Sequence, residues 1–140
     1  MPQWLRSVLA IVAGFVLIGL LAFGTDGLAH AIRPDIFGPN SSTSNMPYLV
    51  IAIIYVGVYA TAGCWLAATL AGRRPMFHAL LLGVLGLVFN LAAVPGMWSL
   101  FPHWYTVVSL ILVMPFAWLG GRIRERQLER RGAVATPLAA

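Results

Sequence analysis

The sequence carries very little charge. Only 9% of its 140 residues are Asp, Glu, Lys or Arg, while 60% are hydrophobic. Soluble domains hold about 25% charged residues, so this balance excludes an ordinary water-soluble fold. The composition predicts a chain that lies mostly in lipid.

Lysine is absent, so all nine basic residues are arginines, and the formal net charge is +5. The arginines flank apolar runs and do not form the basic patch of a nucleic-acid-binding domain. We therefore expect their partner to be a lipid bilayer with anionic headgroups on its cytoplasmic side, and no nucleic acid. Cysteine is nearly absent too. Cys64 stands alone inside an apolar run, which excludes an intramolecular disulfide.

Patterns that carry catalytic chemistry are also missing. The sequence has no Ser-His-Asp arrangement, no paired carboxylates, no glycine-rich phosphate loop and no zinc-ligand spacing. Asp26, His30 and His103 are acceptable metal-ligand types, but two ligands four residues apart and one distant histidine make a weak metal signal. We therefore predict a protein without enzymatic activity, cofactor or bound metal.

Long apolar runs are what the sequence has in quantity. A helix needs about 20 apolar residues to cross the hydrocarbon core. Four runs are long enough, and the predicted spans cover about residues 7–29, 47–71, 75–94 and 104–121. This pattern predicts an all-α polytopic membrane protein. It would form one four-transmembrane-helix bundle over residues 1–131, followed by a disordered tail over residues 132–140.

The arginines indicate an orientation, since all except Arg33 fall on the same side of the four spans. Basic residues resist translocation and stay on the cytoplasmic face. This rule places both termini in the cytoplasm, and residues 31–46 and 95–103 outside. The arginines of the cytoplasmic side are Arg6, Arg73, Arg74, Arg122, Arg124, Arg126, Arg130 and Arg131.

The first span has a second interpretation. Arg6, the apolar stretch at residues 8–23 and the Ala-His-Ala triplet at residues 29–31 also match a secretory signal with an A-x-A cleavage site. Cleavage would leave three spans with the same cytoplasmic C-terminus. The apolar stretch is long for a signal, and Asp26 lies close to the cut, so we predict four retained spans.

Small residues recur at helical spacings on two of the spans. Ala60, Gly63 and Ala67 share one stripe of the second span, and Ala79 and Gly83 share one of the third. Helices in lipid associate through close packing of such residues. We expect the second and third helices to be in close contact. Either face could instead bind a second copy of the chain or a larger membrane-protein partner.

Asp26 is the only acidic residue near the hydrocarbon region. Acids inside a membrane often mark proton or ion pathways. The alternative is an interfacial carboxylate paired with His30, four residues on, or with Arg33. Depth counting places further polar side chains in the outer half of the bilayer. The candidate outer polar cluster contains Asp26, His30, Arg33, Tyr55, Asn90 and His103.

A second candidate site lies on the cytoplasmic side, where Arg73, Arg74 and His78 surround the turn into the third helix. Basic side chains at a helix N-terminus can bind a phosphate or a lipid headgroup. The alternative is that these arginines only fix the topology.

Two stretches carry a family resemblance. Residues 71–79 read A-G-R-R-P-M-F-H-A, and residues 119–122 read L-G-G-R. With these stretches the chain resembles a loose group of small bacterial membrane proteins that have four predicted helices and no assigned function. The resemblance implies a location in the bacterial cytoplasmic (inner) membrane and supplies no activity.

The sequence is compatible with three functions. The small-residue faces favour a non-enzymatic structural or accessory component of a larger membrane system. Asp26 suggests a small proton- or cation-coupled transporter, similar in size and helix count to the small multidrug resistance family. That family has a deeply buried acid in its first helix and a weak charge bias, whereas Asp26 lies nearer the outer surface and the arginine bias is strong. The third function is lipid-headgroup binding by Arg73, Arg74 and His78.

Overall fold

The computed structural model describes the backbone of residues 2–135 and the side chains of residues 2–132. Four long helices run through it: α1 (Gln3–Ile32), α2 (Met46–Ala71), α3 (Pro75–Leu100) and α4 (His103–Ala135). Each is long and apolar enough to cross a membrane, and residues 2–135 contain no strand. The prediction of an all-α bundle with four membrane-spanning helices is confirmed.

The third helix is longer than its predicted span. It continues through Pro95 to Leu100, whereas the sequence pattern ended it near residue 94. A proline removes one backbone hydrogen bond, but neighbouring helices make such residues tolerable inside a membrane. The connection predicted over residues 95–103 is therefore reduced to Phe101 and Pro102.

The first and fourth helices also extend beyond their predicted spans. α1 begins at Gln3 and ends at Ile32, and α4 passes through the arginine-rich segment to Ala135. The predicted disordered tail was to begin at Gly132, so its first four residues are helical up to Ala135. Residues 136–140 of that tail lie outside the part that the structure describes.

Side chains at the ends of α2 explain where this helix starts and stops. The Asn45 side chain accepts a hydrogen bond from the backbone N–H of Tyr48 at 3.0 Å and caps the first turn. Gly72 follows the last turn with a φ of 74°, a left-handed conformation that glycine adopts at little cost. Nε of Arg6 donates to the carbonyl oxygen of Leu70 at 2.7 Å, which satisfies one of the free carbonyls there.

Two contacts show which segments share each end of the bundle. Ser7 of α1 bonds to His78 of α3 at 3.0 Å, and the backbone N–H of Thr43 donates to the carbonyl oxygen of Leu100 at 3.1 Å. We name the end near Ser7 and His78 the arginine-rich end, because it carries Arg6, Arg73, Arg74 and Arg122. The opposite end, with the α1–α2 connection at residues 33–45, is named the loop end.

Glycine permits the closest approaches between helices. A Cβ atom on Gly14 would lie 2.6 Å from the carbonyl oxygen of Gly63, so α1 and α2 touch backbone to backbone. A Cβ atom on Gly120 would lie 2.6 Å from the carbonyl oxygen of Thr61, so α4 approaches α2 in the same way. Contact between α2 and α3 is less extensive than either. The expected close contact of the second and third helices is thus only partly met.

The buried residues of α1 and α3 lie toward the arginine-rich end. The buried residues of α1 are Ala10 and Gly14, and the last buried residue of α3 is Gly83. Beyond these positions, the loop-end halves of α1 and α3 have no buried residue. α1 and α3 therefore leave room beside them at the loop end, whereas α2 and α4 stay packed there, with Leu49 and Thr106 buried.

Candidate functional site

A cavity of about 590 Å³ lies between the helices. It extends from Leu82 and Ala117 in the packed core to Asp26 and Tyr105 toward the loop end. All four helices contribute to its wall, which is mostly apolar. The cavity-lining side chains with a polar group are Asp26, Cys64, Asn90, Tyr105 and Ser109.

Asp26 of α1 is bound by two tyrosines of α2. The Tyr48 hydroxyl donates to Oδ1 of Asp26 at 3.2 Å, and the Tyr55 hydroxyl donates to the same oxygen. The two hydroxyls are also 3.2 Å from each other. Residues seven apart lie on one face of a helix, so the spacing of Tyr48 and Tyr55 directs both rings toward α1.

The expected ion pair between Asp26 and Arg33 is wrong. Arg33 donates instead to Asp35, from Nε to Oδ1 and from Nη2 to Oδ2, each at 2.8 Å. This hydrogen bonding raises the pKa of Arg33 and lowers that of Asp35. Both side chains are exposed, so the pair contributes little to stability. Arg33, the arginine near the loop end, therefore binds Asp35 and does not pair with Asp26.

The expected pairing of Asp26 with His30 is wrong as well. Nδ1 of His30 lies 3.4 Å from the backbone carbonyl oxygen of Asp26, within the helix, and does not reach the carboxylate. The imidazole stacks on Phe37 with ring centres 3.7 Å apart. Phe37 in turn meets Tyr48 edge to face at 5.0 Å. The α1–α2 connection therefore inserts Phe37 between the ends of both helices, next to the tyrosine that binds Asp26.

The other two members of the predicted outer polar cluster separate from each other. Asn90 does line the cavity, and its Nδ2 donates to the carbonyl oxygen of Gly86 at 2.8 Å. His103 is exposed and stacks on Trp98 with ring centres 4.1 Å apart. Within the described residues, no three His, Cys, Asp or Glu side chains lie together as a metal site. Of the predicted cluster, Asp26 and Asn90 line the cavity and Tyr55 binds Asp26, while Arg33 and His103 lie apart.

The sequence pattern missed two parts of the site. Tyr48 was not included in the candidate outer polar cluster, although its spacing from Tyr55 was a signal for a shared face. The pair formed by Thr25 and Tyr59, whose hydroxyl oxygens are 2.9 Å apart, was also missed. Such contacts depend on the register of α1 against α2, which no local pattern in the sequence reports.

The three residues of the predicted headgroup site at the arginine-rich end differ in their exposure. Arg73 and Arg74 are exposed, but only 7% of His78 is exposed. Nδ1 of His78 bonds to the backbone carbonyl oxygen of Arg74 at 3.1 Å, and Nε2 bonds to the Ser7 hydroxyl. Both ring nitrogens are therefore engaged, Nδ1 at the start of α3 and Nε2 on Ser7 of α1, and His78 is not free to bind a headgroup.

Comparison with known proteins gives no relative for this chain, since no family model, curated protein or solved structure matches it. The resemblance noted at residues 71–79 and 119–122 stays a prediction.

Proposed function

We propose that this chain is a small membrane protein without enzymatic activity that binds a small ligand in its interhelical cavity, as a proton- or cation-coupled transporter. One observation carries the proposal. The carboxylate of Asp26 lies in the wall of a cavity of about 590 Å³ and is bound by hydroxyl groups, while the salt bridges found among residues 2–132 involve other acids.

The size and lining of the cavity support ligand binding. Sites for small molecules occupy about 300–1,000 Å³ and are mostly apolar, with a few polar groups that orient the ligand. This cavity combines an apolar wall with Asp26, Asn90, Tyr105 and Ser109. A carboxylate in a membrane-spanning segment is costly, and such acids commonly take part in ion or substrate binding. Hydroxyl donors stabilise its negative charge but carry no positive charge that would balance it.

The positive-inside rule supplies the orientation in this proposal. The arginine-rich end faces the cytoplasm, both termini are cytoplasmic, and the loop end of the cavity faces the outside of the bacterial inner membrane. A cysteine at Asn40, in a Cys64→Ala background, should react in intact cells with a maleimide that cannot cross membranes. A cysteine at Arg131 in the same background should react only after the cells are opened. The reverse labelling pattern would overturn the orientation.

Reconstitution into vesicles loaded with a pH-sensitive dye tests the transport function. We expect a panel of small organic cations to produce proton movement that requires the wild-type chain and is abolished in Asp26→Asn. Asp35→Asn is the matched control, because Asp35 is an exposed acid of the loop that lies outside the cavity wall. Equal proton movement in Asp26→Asn and the wild type would contradict the proposal.

The accessory and headgroup-binding functions have weaker support. The small residues that suggested a partner face are largely used inside the bundle, as Gly63 against Gly14 and Gly83 against Ala117 show. The headgroup site loses His78, which bonds to Ser7. Co-purification from native membrane with a stoichiometric larger protein, together with an inert Asp26→Asn substitution, would favour the accessory function instead.

A further inference from the structure

The mouth of the cavity can be located from the most exposed of the large side chains that line it. Phe23 of α1 is 80% exposed, and Phe89 of α3 is 56% exposed. Ala93, one turn beyond Phe89, also lines the cavity and is exposed. The cavity therefore opens sideways between the loop-end halves of α1 and α3, on the face that a bilayer would cover.

Toward the arginine-rich end, the gap between α1 and α3 is closed. The rings of Phe15 and Phe89 lie 5.0 Å apart and bridge the two helices. Closer to the arginine-rich end, a Cβ atom on Gly14 would lie 2.7 Å from a methyl group of Leu82. The opening is thus confined to the half of the bundle that contains Asp26.

The charge of the site selects the ligand. The hydrogen bonds to the Asp26 side chain reach Oδ1 and come from the neutral hydroxyls of Tyr48 and Tyr55. A carboxylate beside an apolar cavity is destabilised unless a positive charge lies near it. One carboxylate balances one positive charge, and the faces of nearby aromatic rings also favour a cation.

From the sideways opening and the carboxylate bound by neutral hydroxyls, we infer that the cavity takes a monovalent lipophilic organic cation, which enters from the lipid between α1 and α3. Its positive centre lies at Asp26, and its apolar groups lie among Phe15, Phe89 and Phe116. This inference rests on the proposed function, because it names the ligand class of the same cavity.

Binding of tetraphenylphosphonium to the purified chain in nanodiscs tests the charge requirement. The neutral comparison is triphenylphosphine oxide, which has similar aromatic groups and no net charge. We expect the cation to bind at least about tenfold more tightly than the oxide, which is the size of a moderate charge-pair coupling. Asp26→Asn should remove that preference, and Asp35→Asn should keep it.

The outcomes separate the two proposals. If cation and oxide bind equally to the wild type, the charge inference is overturned while ligand binding in the cavity stands. If neither compound binds, the proposed function fails together with the inference. The comparison on the wild-type chain decides these points even if Asp26→Asn does not fold.

The entry route has its own test, with cysteines at two positions of α3 in a Cys64→Ala background. A bulky maleimide on Ala93→Cys should slow association of tetraphenylphosphonium by about tenfold or more, since Ala93 lies at the mouth. The same label on Val88→Cys should have little effect, because Val88 is 56% exposed but does not line the cavity. Equal association rates for both labelled variants would contradict entry between α1 and α3.

Discussion

The hydroxyl of Tyr55 donates a hydrogen bond to Oδ1 of Asp26 and so joins α2 to α1 inside the membrane-spanning part of the chain. Tyr48 donates to the same oxygen from two turns earlier. The carboxylate is therefore held in a fixed position at the cavity wall. The salt bridges found among residues 2–132 involve other acids, so in the proposed function this charge is available to a ligand.

Removing the Tyr55 hydroxyl should destabilise the bundle. Hydrogen bonds to charged groups contribute about 1.5–3 kcal/mol, so Tyr55→Phe is expected to lower the free energy of unfolding by about this amount. Tyr59→Phe is the matched control, because Tyr59 bonds to the neutral hydroxyl of Thr25 and should cost only about 0.5–1.5 kcal/mol. Unfolding in mixed micelles with increasing denaturing detergent measures both. Equal losses would mean that the charge of Asp26 does not strengthen its hydrogen bond.

The Gly14 backbone contact should not tolerate a side chain. A Cβ atom there would lie 2.6 Å from the Gly63 carbonyl oxygen, so Gly14→Ala must push α1 away from α2. We expect a loss of about 1–3 kcal/mol in the same unfolding assay, as for other overpacked interiors. Gly24→Ala in the same helix meets no atom within 4 Å and should be neutral or slightly stabilising. A stable Gly14→Ala protein would contradict the described packing of α1 on α2.

The Arg33–Asp35 pair should shift the titration of the Asp35 carboxyl. Hydrogen bonding by Arg33 lowers the pKa of Asp35, so its carboxyl should titrate with a midpoint below 3.8. Because pairing favours the charged form, the contribution of the pair is present above pH 3.8 and is lost as the pH falls through the lowered pKa. Arg33→Gln should raise the midpoint toward the ordinary value, and carboxyl ¹³C shifts in micelles would show it. An unchanged midpoint in Arg33→Gln would contradict the pairing.

The features of the fold and of the site that depend only on neighbouring residues in the chain could be predicted from the sequence. The four apolar runs are local, and they predict the four helices correctly. Pro95 misled the prediction of where α3 ends, because the local rule for proline ignores the packing that tolerates it in a membrane. Depth in the bilayer follows from position along each helix, and the predicted site accordingly holds Asp26 and Asn90, which line the cavity, and Tyr55, which binds Asp26.

The partners of Asp26 were not predictable in the same way. Spacing along one helix favoured His30, but the carboxylate binds Tyr48 and Tyr55 of another helix. That pairing depends on how far α1 is shifted along α2, which the contact of Gly14 with Gly63 helps to set. Register of this kind is a tertiary property, and a single sequence carries no local signal for it.

Direct observation of the Asp26 carboxylate tests the central claim, that it is the charged contact of a ligand in the cavity. Asp26 and Asp35 are the only aspartates of the chain, so selective ¹³C labelling of aspartate gives two carboxyl signals, which Asp26→Asn and Asp35→Asn assign. Addition of tetraphenylphosphonium should shift the Asp26 signal and leave the Asp35 signal in place. Saturable binding that leaves the Asp26 signal unchanged would contradict the claim.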